Sequence, residues 1–340
     1  MGAGFVFCKI NDGGIERAPV GMEPHVGIAK AQTEILLREN LRRKLEGDVL
    51  QLGRQAIFLS EADMQALARK VGTTLNRSGA AELSWDKGLA SRGFLSDKSF
   101  FRLLGFSKCE ALDYSDFEGA DHIFDLNAEE VPPHLRNRYD FIVDGGTIEH
   151  VFHLPNTLRN IFSMLKVGGR ILHISPSSNH IDHGFYMFSP TFFADYYATN
   201  KFEIDLAQVA RYTPRHDVDP WLSSNYTPGC LDPVSFGGLD DAMYTVIFLA
   251  TKTAESTAGV VPQQGFYNRI YGKPESFKVA AAAPLAARKS AAKRLKTLIT
   301  KLPGFPLANA VRLKLMGKTQ EAAPAKGLGL PVDAELGNHG

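Results

Sequence analysis

Apolar residues occur along the chain in two patterns, short continuous runs and longer stretches with a helical period. The continuous runs are "DVLQLG", "CEALD", "HIFDL", "YDFIVD" and "RILHIS". Strands that are covered on both faces carry near-continuous apolar residues, so these runs predict buried strands. Helical patterns lie between them, as in residues 60–71, where Ser60 and Asp63 have the spacing of a capping box. Alternating strands and helices predict an α/β fold with a doubly wound, mostly parallel sheet.

The clearest helical pattern follows "YDFIVD". Five apolar residues share one face there, and Gly168 is expected to end the helix; the five are Leu154, Leu158, Ile161, Phe162 and Leu165. Two late strands, "FEIDLAQVA" and "MYTVIFLA", have no long helical pattern between them. They complete a predicted seven-stranded sheet whose final strand is antiparallel.

The same patterns divide the chain into three parts. Residues 1–46 form an N-terminal extension in which "IAKAQTEILLRENLRRKLEG" predicts a helix. Residues 47–253 form the main domain, and within it residues 72–96 have no sustained period and are expected to be an insertion or a lid. Residues 254–340 form a basic tail, predicted to be partly disordered or amphipathic and helical.

Charge changes this picture only in the tail. The net charge of the 340 residues is +1, but Ser276 to Gln320 contains no Asp or Glu. Residues 284–318 can form basic amphipathic helices that would contact an anionic membrane surface or an acidic partner; a solvated extension is the alternative. No motif for nucleic-acid binding accompanies the charge, so nucleic acid is not expected as a partner.

Other features indicate a cytoplasmic protein. The opening residues are interrupted by polar residues and Gly, unlike a secretory leader, and no stretch reaches the roughly 18 apolar residues of a membrane span. The three cysteines are scattered, without the spacing of a disulfide framework or a metal site.

Candidate chemistry lies where the predicted strands end, because ligands of parallel α/β sheets bind beyond the carboxyl ends of the strands. Gly53 ends the first strand, and Asp113, Asp125 and Asp144 end the next three. Three acidic strand ends would repel one another, which favours a bound polar or cationic ligand. The alternative is that each aspartate caps a turn.

These strand ends, and the block "YDFIVDGGTIEHVFHLPNTLRNIFSMLKVGGRILHISP" above all, resemble the class I S-adenosylmethionine-dependent methyltransferases over residues 47–253. The resemblance implies S-adenosyl-L-methionine as cofactor and a Rossmann-like fold. The residues that it places around the cofactor are Gly53, Gln55, Asp113, Tyr114, Asp125, Leu126, Asp144 and Thr147. The first two would lie beside the methionine part, the next two at the ribose and adenine, Asp125 and Leu126 at the adenine edge, and the last two near the sulfonium.

The first loop departs from the family pattern. It is "LGRQAIF", with Arg54 and Gln55 where several glycines are usual. Either these side chains replace some backbone contacts to the cofactor, or cofactor binding is weak or lost.

Methyl transfer to an oxygen needs a base, and His150 and His183 are the candidate catalytic residues because histidine titrates near neutral pH. A structural role is the alternative for each. Glu149 and His150 match the second half of the E-x-x-E-H pattern of metal-dependent relatives, and His180 or His183 could add another ligand to a metal. Gly146 replaces the first glutamate of that pattern, so no metal is expected.

We therefore expect methyl transfer, at oxygen, to a small molecule or to a glycan or lipid precursor. Acceptor contacts are expected from the loop "HGFYMFSPTFF" and from residues 212–242, with Trp221 and Tyr226, unless these aromatic residues pack in the core. The alternative is an inactive methyltransferase-like binding module. A nicotinamide-dependent dehydrogenase is disfavoured, because no G-x-G-x-x-G follows the first strand.

Overall fold

The computed structural model describes residues 8–11, 14–17, 27–76, 79–215, 219–271 and 332–337. Its strands are β1 (Cys8–Asn11), β2 (Gly14–Arg17), β3 (Gly27–Ile28), β4 (Asp48–Leu52), β5 (Ala56–Ile57), β6 (Lys108–Asp113), β7 (His122–Ile123), β8 (Tyr139–Asp144), β9 (Leu165–Ser178), β10 (Glu203–Tyr212), β11 (Trp221–Asn225), β12 (Met243–Thr251) and β13 (Ala334–Leu336). Its α-helices are α1 (Lys30–Arg42), α2 (Glu61–Val71), α3 (Lys87–Ser91), α4 (Asp97–Leu104), α5 (Leu154–Met164), α6 (Pro190–Thr199) and α7 (Gly265–Ile270).

The main sheet has nine strands in the order β13-β11-β10-β12-β9-β8-β4-β6-β7. The pairs from β9 to β7 are parallel. The pairs from β9 to β13 are antiparallel. Because β4 lies between β8 and β6, the strand order reverses beside it, and this is the point at which doubly wound sheets bind ligands.

This sheet confirms the α/β class and the antiparallel late strands, but the prediction of a seven-stranded, mostly parallel sheet was wrong. Two further antiparallel strands, β11 and β13, extend the mixed sheet to nine strands, and β13 forms its edge. Strand β11 lies in the stretch expected to contact the acceptor, and β13 comes from within the predicted tail. Leu336 of β13 is buried, which explains why this short segment joins the sheet.

Helices cover both faces of the sheet. Residues Leu36 of α1, Leu67 of α2 and Phe101 of α4 belong to the core on one face. Leu158 of α5 and Phe193 of α6 belong to the core on the other. The helical patterns predicted α1, α2 and α5, because each buries one apolar stripe against the sheet, whereas α6 lies in a stretch that was expected to be a loop.

The end of α5 was predicted wrongly. The apolar stripe extends through Leu165, but the helix ends at Met164 and β9 begins at Leu165. Leu165 pairs with Tyr139 of β8, and the Gly168 amide donates to the Lys252 carbonyl over 2.7 Å. Pairing with distant segments outweighs the local helical pattern here.

The Ser60–Asp63 capping box is confirmed. The Asp63 amide donates to Ser60 Oγ over 3.2 Å, and the Ser60 amide donates to Asp63 Oδ2 over 3.0 Å. These bonds satisfy two backbone donors at the start of α2, so the helix begins where the sequence predicts it.

A buried carboxylate ties β6 to β8. Burial alone raises the pKa of Glu110, but hydrogen bonds from Lys108 and Tyr139 and the charge of Arg138 outweigh it and lower the pKa to about 2. Arg138 and Tyr139 donate to Glu110 over 2.7 and 2.8 Å.

The predicted basic segment 284–318 lies outside the described residues. Among the residues that are described, the helices are all too short or too polar to span a bilayer.

Candidate functional site

Three predicted cofactor residues meet where β4, β6 and β8 end. Gly53 follows β4 with a φ of 67°, a left-handed conformation that favours glycine. A Cβ atom there would lie 2.9 Å from Thr147 Oγ1 and 3.9 Å from Asp113 Oδ2. Thr147 Oγ1 in turn donates to the Leu52 carbonyl over 2.5 Å. The structure thus brings Gly53, Asp113 and Thr147 together at the reversal point of the sheet.

Asp113 and Tyr114 face an open region. Asp113 is half-buried, and its Oδ1 accepts a hydrogen bond from the Ser115 amide over 3.2 Å, while Oδ2 is the oxygen nearer to Gly53. The Tyr114 side chain is 75% exposed. A carboxylate beside an open aromatic ring fits a ligand that has hydroxyl donors and a flat ring system.

Asp125 and Leu126 are engaged in local contacts. Asp125 is exposed, and its Oδ1 accepts hydrogen bonds from the Asn127 amide and side chain over 2.9 and 2.8 Å. The Leu126 side chain is buried in the core, and its carbonyl accepts a hydrogen bond from Asn160. Any contact of Leu126 with a cofactor must therefore come from its backbone.

Asp144 does not face the site, contrary to the prediction. Its side chain is fully buried, and Oδ2 accepts hydrogen bonds from His173 Nδ1 over 2.7 Å and from Ser175 Oγ over 3.3 Å. Oδ1 accepts a hydrogen bond from the Thr147 amide over 3.0 Å. His173 Nε2 lies 2.6 Å from the Tyr197 hydroxyl. The carboxylate therefore orders the turn after β8 from within the core, and His173 links it to Tyr197.

Gln55 is buried in the loop after β4. It is 2% exposed, and its Nε2 lies 3.2 Å from both the Leu52 and the Gly53 carbonyls. Its Oε1 has no hydrogen-bond partner among the described residues. A Cβ on Gly145 would lie 2.6 Å from that oxygen, so Gly145 is needed for the Gln55 side chain to fit.

Arg54 is held away from the strand ends. It forms a salt bridge with Asp97 over 3.0 Å and donates to the Glu118 carbonyl over 2.8 Å. Its guanidinium lies over the Trp85 ring at 5.3 Å. Arg54 therefore fastens the 72–96 insertion to the body of the sheet.

The two candidate bases, which lie in different loops, are brought together. His150 follows β8 and His183 lies in the loop after β9, and their ring centroids are 5.0 Å apart. Their side chains are 40% and 37% exposed. Burial, and then the proximity of His183, lowers the pKa of His150. Its ring is therefore neutral at pH 7 and able to accept a proton.

Glu149 lies beside these histidines, and its burial was not predicted from the sequence. It is 1% exposed, and Oε1 lies 3.7 Å from His183 Nε2 and 3.9 Å from His150 Nε2. Burial raises the pKa of Glu149. His180 is also close, with its ring 5.8 Å from that of His183. Burial, and then the charge of His183, lowers the pKa of His180 to about 4.

Two exposed aromatic side chains belong to the same two loops as His150 and His183. Phe152 and Phe185 are mostly exposed, and their ring centroids are 5.5 Å apart. Trp221 and Tyr226, which were candidates for acceptor contacts, are instead buried. Trp221 stacks on Tyr212 at 4.5 Å, so it packs within the protein.

No protein-family model and no curated protein sequence matches the chain. Solved structures do. A Burkholderia thailandensis 1,6-didemethyltoxoflavin-N1-methyltransferase, bound to 1,6-didemethyltoxoflavin and S-adenosylhomocysteine, is 13% identical over 65% of this chain and 76% of its own, with a TM-score of 0.32. An O-methyltransferase from a Brevibacillus brevis polyketide multienzyme, bound to S-adenosylhomocysteine, is 13% identical over 68% and 74%, with a TM-score of 0.35.

A third match is a SAM-dependent methyltransferase from Archaeoglobus fulgidus. It is 14% identical over 64% of this chain and 94% of its own, with a TM-score of 0.31.

Proposed function

We propose that this chain, whose sheet has the strand reversal and antiparallel final pair expected of a class I methyltransferase, binds S-adenosyl-L-methionine beyond β4 and β6. The proposed reaction transfers the methyl group to an oxygen of a small-molecule acceptor or of a glycan or lipid precursor. The convergence of Gly53, Asp113 and Thr147 at the reversal point carries this proposal, because three loops meet there around a position that tolerates no side chain.

The proposed cofactor contacts use an oxygen of Asp113, the exposed ring of Tyr114 and an oxygen of Gln55. Asp113 Oδ2 accepts hydrogen bonds from the ribose hydroxyls, and the exposed Tyr114 ring lies beside the adenine. The orphan Oε1 of Gln55 accepts a hydrogen bond from the ammonium group of the methionine part. In this way one buried side chain takes over contacts that a glycine-rich backbone would make.

The acceptor lies at the His150–His183 side of the turn after β8. One of the two histidines takes the proton of the acceptor hydroxyl, whose oxygen attacks the methyl carbon. The carbon–sulfur bond breaks with its electron pair going to sulfur, which leaves S-adenosylhomocysteine and a methyl ether. Alignment of the two reactants provides most of the rate enhancement in such a displacement. The exposed rings of Phe152 and Phe185 favour an acceptor with an apolar or aromatic part.

Titration calorimetry of the full chain with S-adenosylmethionine and S-adenosylhomocysteine tests the proposal. We expect saturable binding of both at one site per chain. Absence of heat and of any thermal shift at millimolar cofactor would contradict it.

One observation favours the second candidate, a methyltransferase-like module without turnover. The Gln55 amide already binds the Leu52 and Gly53 carbonyls, so it can occupy cofactor space rather than serve it. The direction in which Gln55→Ala changes the affinity for S-adenosylmethionine distinguishes the two candidate functions. Weaker S-adenosylmethionine binding supports a contact from Gln55, whereas tighter binding supports an occluded site. Gln65→Ala, on α2 and bonded to Glu61, is the matched control and should leave binding unchanged.

A further inference from the structure

Three ligating side chains converge beside the proposed cofactor site. Glu149 and His150 belong to the turn after β8, and His183 belongs to the loop after β9. One donor atom from each lies within 4.8 Å of the others. Such a cluster of two imidazoles and a carboxylate has the composition of a transition-metal site.

Direct hydrogen bonds do not explain the cluster. The separations from Glu149 Oε1 to His183 Nε2 and His150 Nε2 are 3.7 and 3.9 Å, which is longer than hydrogen bonds. Glu149 is almost completely buried, yet its Oε2 has no hydrogen-bond partner in the described part of the chain. A buried carboxylate oxygen without a hydrogen-bond partner is costly, and a cation bound by this carboxylate would offset that cost.

Backbone contacts hold the two loops together at this point. The amides of Phe185 and Tyr186 donate to the Glu149 carbonyl over 2.8 and 3.2 Å. Gly184 permits the close approach, because a Cβ there would lie 2.9 Å from the same carbonyl oxygen. His183 is thus fixed next to Glu149 by its neighbours in sequence, and the donor atoms are positioned before any ion binds.

We propose that Glu149, His150 and His183 bind a divalent first-row transition metal ion. Ligands around a tetrahedral ion at about 2.1 Å lie about 3.4 Å apart, so the separations of 3.7 and 3.9 Å from Glu149 require shifts of a few tenths of an ångström. The two imidazole nitrogens, which lie within 4.8 Å of each other, approach by up to about 1.4 Å. The partly exposed histidine rings can make that adjustment. Their exposure also leaves one side of the ion open to a further ligand, as in catalytic rather than structural metal sites.

The role of the ion, unlike its binding, rests on the proposed methyl transfer. An ion held there would bind the acceptor hydroxyl and lower its pKa. His150 and His183 would then act as ligands instead of as a base, and the proton of the hydroxyl would leave to solvent. This favours acceptors whose reacting hydroxyl has a second oxygen nearby, because both oxygens can bind the ion.

The test titrates the chelator-treated full chain with Co²⁺, without S-adenosylmethionine, by calorimetry and visible absorption. We expect one ion per chain, the absorption bands of bound Co²⁺, and displacement by Zn²⁺. His183→Ala and Glu149→Gln should weaken Co²⁺ binding by about a hundredfold or more, since even residues that only orient ligands contribute 10- to 100-fold. His153→Ala, an exposed histidine outside the cluster, is the control and should bind Co²⁺ as the wild type does.

Absence of saturable Co²⁺ and Zn²⁺ binding would overturn the proposal, and so would variants that bind like the wild type. Because the buried Glu149→Gln change can perturb folding, His183→Ala in the partly exposed loop, with an unchanged melting temperature, provides the decisive comparison. Calorimetry with S-adenosylmethionine separates this inference from the proposed function. Metal binding without cofactor binding would refute methyl transfer and leave the metal site intact.

Discussion

Replacing Asp113 by asparagine tests the proposed ribose contact directly. One oxygen of Asp113 is held by the Ser115 amide, and the other lies toward Gly53. Hydrogen bonds to a charged group contribute about 1.5–3 kcal/mol, and neutral ones about 0.5–1.5 kcal/mol. Asparagine keeps one accepting oxygen but loses the charge, so we expect S-adenosylmethionine binding to weaken by about 1–2 kcal/mol, or about 5- to 30-fold in Kd.

Calorimetry at constant ionic strength measures this change. Asp116→Asn in the same loop removes the same charge from an exposed side chain and should leave the Kd unchanged. The melting temperature of Asp113→Asn should match that of the wild type, since its side chain makes only the local bond to Ser115 among the described contacts. A Kd unchanged within twofold, or an equal loss in both variants, would refute the assignment of Asp113 to the ribose.

Three further predictions concern stability and loop position. Asp144→Asn should lower the free energy of unfolding by roughly 2–3 kcal/mol in urea titrations, because charge-assisted bonds to His173 and the backbone are lost in the core. Gly184→Ala should push the loop from the Glu149 carbonyl and speed exchange of the amides bonded to it by about fivefold, the equivalent of 1 kcal/mol, in hydrogen-exchange measurements. The folded state holds the pKa of Glu110 at about 2, below its ordinary 4.5, so its stabilisation is complete above about pH 5 and is lost as the pH falls toward 2. It amounts to about 3 kcal/mol, and Glu110→Gln should flatten this part of the stability profile.

The sequence predicted features that depend on short segments. The strand–turn–helix from Tyr139 to Met164 is recognisable because its apolar residues follow strand and helix periods and the turn between them is rich in glycine. The proximity of His150 and His183 could also be predicted from the sequence, because both follow parallel strands and therefore lie at the same edge of the sheet.

Features that depend on distant partners were not predicted. The end of a strand locates Asp144 but not the direction of its side chain, which points inward to His173, 29 residues later. The helical stripe could not reveal that Leu165 pairs with Tyr139 instead of extending α5. Likewise, the Glu149–His150 pattern shows neither that the Glu149 side chain is buried nor which histidine of the next loop lies beside it.

Strand β13, a segment far along the chain, covers the edge of the sheet that β11 would otherwise form. It pairs with β11 from Trp221 to Ser223, and the Gly337 amide donates to Glu34 Oε2 of α1 over 2.8 Å. Without residues 332–337, the backbone groups of β11 would face solvent as a template for strand addition by another molecule. A protein shortened to residue 271 is therefore expected to self-associate in light scattering, although every proposed ligand contact lies before that residue.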